Sequence, residues 1–290
     1  MPPNKADPPD RYAVIGWPID HSRSPFIHAA FAQQTGQNLS YGRIACQPGE
    51  LEPMLRRFIA GGPGLGPARG CNVTIPLKFD TIGLADETTA RARLAQAGNV
   101  LCLEPGRWHA DNTDGIGLVR DIEQGAGVAI QGARVLLIGA GGAGAGVLGP
   151  LLAHGPAALR VVNRTPQRAQ ALVSRHMAWA AQHGADLSAG GLDAAGAGWD
   201  IVLNASASSL QQQGVPVSSA VLRPGALALD LMYGPAALPF LDWARSHGAL
   251  PRDGLGMLVQ QAAEAFRIWR GVEPQTSPVL DALRHAVSAG

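Results

Sequence analysis

From Val135 to Ala153 the chain runs for 19 residues without a charge. Val135-Leu-Leu-Ile138 has the composition of a buried parallel strand, apolar throughout and β-branched at both ends. Gly139, Gly141, Gly142 and Gly144 follow at once, with Ala140 and Ala143 between them, and Ala145 to Ala153 reads as an apolar helix. The run approaches the length of a membrane span, but its glycines and Pro150 break it into strand, turn and helix, so no span is expected. Strand, glycine turn and helix in that order make the first half of a dinucleotide-binding βαβ unit. The glycines admit backbone close to a pyrophosphate, and the helix N-terminus offers it unpaired N–H groups and a favourable dipole.

The next strand, Leu159-Arg-Val-Val-Asn163, indicates which dinucleotide. An NAD site wants Asp or Glu at the end of that strand for the ribose hydroxyls. Asn163 carries no charge to repel a 2′-phosphate, Arg164 and Arg168 can pair with one, and Thr165 can donate to it. NADP is therefore the expected cofactor.

The 290 residues are 46% hydrophobic and 16% charged, with a formal net charge of +1. That is too neutral for binding nucleic acid through a charged surface and too apolar for disorder. Cys46, Cys71 and Cys102 are odd in number and in no ligand-like spacing, so a reducing compartment and no metal are expected. Residues 1 to 11 are polar and proline-rich with no apolar core, which argues for the cytoplasm over export.

Before the nucleotide unit, strand and helix signals alternate in a way that makes a separate α/β domain without a phosphate turn. Strands are expected at Tyr12 to Gly16, Tyr41 to Ala45, Gly70 to Pro76 and Asn99 to Glu104. Helices are expected after Pro25, at Leu51 to Ala60, at 87 to 96 and at Ile116 to Gln124. Beyond it, Trp199 to Asn204 and Leu227 to Leu231 are strands, separated by Ala205-Ser-Ala-Ser-Ser209 and a glutamine-rich stretch. Gly254-Leu-Gly-Met257 opens a long helix whose buried stripe is Leu258, Ala262, Ala265, Phe266 and Trp269, and Ser277 to Val287 is a last helix.

Lysine usage singles out one residue. The chain has 21 arginines and two lysines, Lys5 in the N-terminal tail and Lys78 after Pro76. Where a charge need only face water, this sequence uses arginine. A lysine can exchange protons when burial or neighbours shift its pKa, which arginine cannot do, so Lys78 reads as an acid–base group, with Asp111 or Asp114 as its partner. The plainer alternative is a surface lysine. Asn72 and Thr74 share one face of their strand, where a core would prefer valine. Ser22 and Ser24 can be a turn residue and a helix cap. His21 and His28 read as structural, and the other histidines form no ligand spacing. Gln261, four residues after Met257, can reach a cleft with its amide.

Taken together, Gly16-x-Pro-Ile-x-His-Ser-x-Ser-Pro25, Asn72-Val-Thr-Ile-Pro-x-Lys78, Asn112-Thr-Asp-Gly115, Gly139-Ala-Gly-Gly142, Asn163-Arg-Thr165 and Gly254-Leu-Gly-Met-Leu-Val-x-Gln261 resemble the shikimate dehydrogenase family. The resemblance runs in one order from about residue 12 to residue 285. It implies a two-domain α/β fold. Residues 1–114, completed by 252–290, would form the substrate domain, and 115–251 a Rossmann-like NADP domain. It further implies reversible reduction of 3-dehydroshikimate to shikimate in aromatic amino-acid biosynthesis.

By that resemblance Ser22, Ser24 and Tyr233 hold the substrate carboxylate, and Asn72, Thr74, Asn99, Asp114 and Gln261 hold the ring hydroxyls. Lys78 and Asp114 are the catalytic pair. Gly139 to Ala143, Asn163 to Thr165, Arg168, Asn204, Ala205, Ser206, Gly254 and Met257 surround the cofactor. The partners implied are the small-molecule substrate, with no nucleic acid or membrane; monomer and homodimer stay open. The family usually has Ala-Val-Asn-Thr where this chain has Ala97-Gly-Asn-Val100, so one hydroxyl beside Asn99 is absent. Trp17 stands where asparagine is common, and Ser206 where threonine is usual. A quinate/shikimate enzyme of wider specificity and a non-catalytic NADP sensor are the alternatives.

Overall fold

The structure is a computed structural model that describes residues 7–206 and 214–288. Most of the expected glutamine-rich stretch, with 207–209 before it, lies outside the described residues. The chain divides into two compact units, Met1–Thr113 with Ala262–Val279 and Asp114–Gln261 with Leu280–Gly290. Asp114 and residues 252–261 and 280–290, grouped above with the substrate domain, cluster with the second unit.

The first unit carries β1 (Asp10–Gly16), α1 (Ser24–Thr35), β2 (Leu39–Ala45), α2 (Leu51–Ala60), β3 (Ala68–Val73), α3 (Thr81–Leu84), β4 (Glu87–Thr88), α4 (Ala90–Ala95), β5 (Val100–Glu104) and β6 (Arg107–Asp111). Its sheet runs β2-β1-β3-β5-β6-β4. The strands β1, β2 and β3 are parallel, and β5 runs antiparallel to both of its neighbours, β3 and β6. Parallel strands covered on both faces read as continuous apolar runs. The interior strand β1 does so, with Tyr12 to Ile15 almost wholly buried. Ile15, Leu51, Leu55, Cys71, Val73, Leu77 and Leu101 form one core on one side of it.

Two expectations change here, and one strand is added. Ser24 is the first residue of α1 and not its cap; Arg23 holds the cap position without a side-chain bond. Residues 87 to 96 are a two-residue strand and then α4, because Thr89 is extended and its hydroxyl accepts from Ala92 N–H, starting the helix there. Trp108 to Asp111 is strand, because Gly106 at φ 76° closes a hairpin between β5 and β6.

The second unit carries α5 (Asp114–Arg120), β7 (Arg134–Ile138), α6 (Gly142–Ala153), β8 (Ala158–Val162), α7 (Pro166–Gln182), β9 (Asp186–Gly190), β10 (Trp199–Asn204), β11 (Leu222–Asp230), α8 (Leu238–Ser246), β12 (Leu250–Arg252), α9 (Leu255–Arg270) and α10 (Ser277–Ser288). The boundary between units falls inside α9, after Gln261. The sheet is parallel, in the order β12-β11-β10-β7-β8-β9. From β7 the chain moves to β8 on one side and later to β10 on the other. The crevice beyond the carboxyl end of β7 is therefore the switch point at which such sheets bind ligands.

α5 continues into one π-helical turn, Asp121–Gly125. Gly117 lets α5 meet α9 closely: a Cβ there would lie 2.7 Å from Gln261 N and from Met257 O. Of the stripe expected on α9, Ala262, Ala265 and Phe266 are buried, while Leu258 and Trp269 are half-buried and Val259 is fully buried. α7, β9, α8 and β12 fall outside the expectations above, although the buried Ala169, Leu172, Val173, His176 and Ala180 of α7 stand at helical spacing.

Candidate active site

In the first unit the polar residues gather at the carboxyl ends of β1 and β3. A turn closed by Ser22 N–H on Ile19 O (3.0 Å) carries the chain from β1 into α1. Ser22 Oγ donates to Ser24 Oγ at 3.3 Å and accepts from Ser24 N–H at 3.4 Å. Two hydroxyls thus stand side by side, both residues buried. The amide of Asn72, near the end of β3, has a defined orientation. Its Oδ1 accepts from Tyr41 OH at 2.6 Å, and its Nδ2 donates to Asn99 O at 3.0 Å. Asn99 is held in turn by Thr113, whose N–H donates to Asn99 Oδ1 at 2.8 Å. Thr74 is half-buried, and its methyl occupies the space beside Gly16, where a Cβ would come within 2.5 Å of it.

Lys78 is fixed through its backbone. Its carbonyl accepts from Gly98 N–H at 2.9 Å and from Thr81 Oγ at 2.8 Å. Gly98 is required there, since a Cβ would lie 2.6 Å from Thr81 Oγ. The departure from the family pattern at position 98 is thus matched by a threonine filling the space. At position 100 the departure leaves a fully buried valine.

The two carboxylates proposed for Lys78 differ sharply. Asp111 accepts from Thr89 Oγ, from Nε and Nη2 of Arg91 and from Asn112 N–H, each at 2.6 Å. That carboxylate is committed to holding the loop 111–113 between β6 and α5. Asp114 is buried at the first turn of α5.

His28 and Tyr41 lie beneath these groups. The two rings stack at 4.2 Å with 5° between their planes, and His28 also meets Phe31, Phe266 and Trp269. Neither His28 nitrogen has a hydrogen-bond partner. Burial lowers its pKa to about 3; the Asn72 side chain beside it acts in the opposite direction and is outweighed. Burial likewise holds the Tyr41 phenol well above its ordinary range, so both rings are neutral.

In the second unit the glycine turn is built as a cradle. Gly139 has φ 112°, and a Cβ there would lie 2.8 Å from the Ala205 backbone. A Cβ on Gly144 would collide with Gly139 O. α6 starts after Gly141 with no side-chain cap, which leaves its first-turn N–H groups for an anion. Asn163 bridges the turn to the next loop, accepting from Ala140 N–H at 3.2 Å and donating to Thr165 O at 2.9 Å. Beyond it Arg164, Thr165 and Arg168 are exposed, and neither arginine pairs with a carboxylate among the described residues. At the ends of β10 and β11, Asn204 Nδ2 donates to the fully buried Asp230 at 2.9 Å, and Ser206 Oγ donates to Asn204 Oδ1 at 2.7 Å. A close-approach cradle, an uncapped helix start and cations without carboxylate partners fit a dinucleotide phosphate. Tyr233 is half-buried just beyond β11, and Met257 and Gln261 are buried on α9. Gly254 admits no side chain, because Leu231 O occupies that space.

Sequence reasoning missed the Asp111–Arg91 pair, the His28–Tyr41 stack and Arg43. Tyr41 and Arg43 stand two apart on β2 and so share a face, the same signal that drew attention to Asn72 and Thr74. Among the described residues no group of three or more His, Cys, Asp and Glu is placed to hold a metal ion, and no helix is long and apolar enough to cross a membrane.

Three family models match the chain: the shikimate dehydrogenase substrate binding domain over residues 14–101, shikimate/quinate 5-dehydrogenase over 121–212, and the shikimate 5′-dehydrogenase C-terminal domain over 254–284. A shikimate dehydrogenase (NADP+) of Methylibium petroleiphilum is 60% identical over 96% of this chain and 95% of its own. The crystal structure of an Ael1 enzyme from Pseudomonas putida is 44% identical, with a TM-score of 0.84 over 94% of this chain and 98% of that one. Shikimate 5-dehydrogenase from Thermus thermophilus, crystallised with NADP(H) and shikimate, is 30% identical with a TM-score of 0.81, over 96% and 99%.

Proposed function

The chain belongs to the shikimate dehydrogenase family, and on that footing we propose which of its groups carry the reaction. It is an NADP-dependent oxidoreductase that acts on the CH–OH group of shikimate. In the direction we propose for biosynthesis, 3-dehydroshikimate is reduced to shikimate. NADP, when bound, would supply the hydride chemistry at the substrate ring carbon.

The protein's own task is to hold the ring and move one proton. As hydride reaches the carbonyl carbon, the π pair becomes an alkoxide, and the Lys78 ammonium donates its proton there. In the reverse direction neutral Lys78 takes the hydroxyl proton. Asp114 orients the hydroxyl. Ser22 and Ser24 bind the carboxylate with Tyr233, while Asn72, Thr74, Asn99 and Gln261 bind ring hydroxyls. Gly139 to Ala143 and the start of α6 would hold the pyrophosphate, and Arg164, Thr165 and Arg168 the 2′-phosphate, with Asn163 behind them. Asn204, Ala205, Ser206, Gly254 and Met257 would line the rest of the cofactor site. We assign 1–114, completed by 252–290, to the substrate domain, with Gly254 and Met257 facing the cofactor, and 115–251 to the NADP domain. The reading puts the enzyme in the cytoplasm and leaves monomer and homodimer open.

The observation that supports it most is the anchoring of Lys78. Lys78, one of two lysines beside 21 arginines, has its carbonyl bonded to Gly98 and Thr81, next to a strand end that carries Asn72 and Thr74. A substrate-by-cofactor matrix tests the assignment, with shikimate and quinate each assayed with NADP and NAD by nicotinamide absorbance. Shikimate with NADP should have the highest kcat/KM. Faster turnover of quinate or with NAD would overturn the specificity, and no turnover with intact NADPH binding would point to a sensor.

A further inference from the structure

We propose that Arg43 is a specificity-determining residue: its guanidinium, held on the main chain of Ser22, supplies the positive charge that makes the Ser22–Ser24 hydroxyl pair select an anionic substrate. The proposal rests on the reading that this pair binds the carboxylate. Serine hydroxyls favour a carboxylate over an ester only through its stronger acceptor oxygens, and they supply no net positive charge to offset it. The geometry points to Arg43 as the missing charge. It leaves β2 and places Nε at 3.0 Å and Nη2 at 2.7 Å from Ser22 O, a two-pronged donation that fixes the planar fork.

Every polar atom of Ser22 is thereby engaged: N–H on Ile19 O, carbonyl on Arg43, hydroxyl on Ser24. The charge therefore sits at a set position, on the main-chain carbonyl of the residue that carries the first of the two hydroxyls. Arg43 has no carboxylate partner among the described residues to neutralise it. The other charged side chains of the loop, Asp20 and Arg23, are exposed and opposite in sign. Arg43 is exposed as well, so its field is screened by salt, which provides the readout.

The test uses the full-length enzyme at saturating NADP, with shikimate and its neutral methyl ester as substrates over a range of salt. For Arg43→Gln the KM for shikimate should rise roughly three- to tenfold at low salt, the size of one partly screened charge a few ångströms away, with kcat within about twofold. The rise should shrink as salt increases, and the ester should not distinguish the variant from wild type. Arg43→Lys should recover most of the effect, because it keeps the charge and loses the fork.

Equal, salt-independent losses for acid and ester would show that Arg43 only holds the loop, and no loss at all would equally overturn the proposal. Should Arg43→Gln not fold, the wild type still decides: its kcat/KM must fall more steeply with salt for the acid than for the ester. Ser22→Ala separates the two readings. If it leaves the KM for shikimate unchanged, the carboxylate site itself is misassigned; if it raises KM while Arg43→Gln does not, only the arginine's role is wrong.

Discussion

His28 is a buried histidine with no hydrogen-bond partner on either nitrogen, and it should make this enzyme acid-labile in a measurable way. Its folded pKa is about 3 against 6.5 for the free side chain. Between those values the unfolded chain takes up a proton that the folded protein refuses, so stability falls as pH falls below the unfolded value. Going from about pH 7.5 to about pH 5 should remove roughly 2 kcal/mol from this one residue. The figure is insensitive to the folded pKa, because at pH 5 the loss is set by the unfolded one. His28→Phe keeps a flat ring against Tyr41 and removes the proton site. The assay is urea unfolding of both proteins at the two pH values, each compared with itself, so that carboxylates common to both cancel. Wild type should lose about 2 kcal/mol more than the variant over this range. Equal losses would mean that the ring is protonated in the folded state or reached by water, and the burial argument would be wrong.

Lys78→Ala should lower turnover by roughly two to four orders of magnitude with little change in shikimate affinity, as loss of a general acid does, and a variant keeping half its turnover would remove Lys78 from the chemistry. Neutralising Arg164 and Arg168 together should weaken NADP roughly a hundred- to ten-thousandfold and NAD less than about threefold, measured as dissociation constants at one fixed salt. Equal losses would make the arginines supports of the fold. Asp121 accepts from Arg252 at 2.9 and 2.5 Å and is itself almost wholly buried, in the π turn after α5. Asp121→Ala should cost about 3 to 5 kcal/mol in unfolding free energy by leaving Arg252 without its partner, whereas a cost under about 1 kcal/mol would mean that water reaches the pair.

The nucleotide half of this protein was legible because local chemistry dictates it. A β-branched strand, glycines at 139, 141, 142 and 144 and an apolar helix leave few other folds, and Asn163 with its arginines is contiguous with the strand it ends. Lys78 stood out for a compositional reason, since a chain that otherwise uses arginine has a lysine there, and its role stays a proposal. The roles proposed for Asn72, Thr74 and Gln261 came only from resemblance to a family, because a polar residue two from another on a strand says which face it shares and nothing about what it holds. Tertiary structure decided the rest. The sequence left Asp111 and Asp114 as equal partners for Lys78; folding brings Arg91 and Thr89 onto Asp111 from twenty or more residues away and commits its carboxylate. His28 reads as an ordinary helix residue until Tyr41, Phe266 and Trp269 enclose it. Arg43 is one arginine among 21 until β2 lies beside β1 and its fork reaches Ser22. Short-range pattern sets what each segment can become, because backbone sterics and burial periodicity act over a few residues. Which charges meet and which rings lose their water depends on segments distant in the chain, and only packing brings those together.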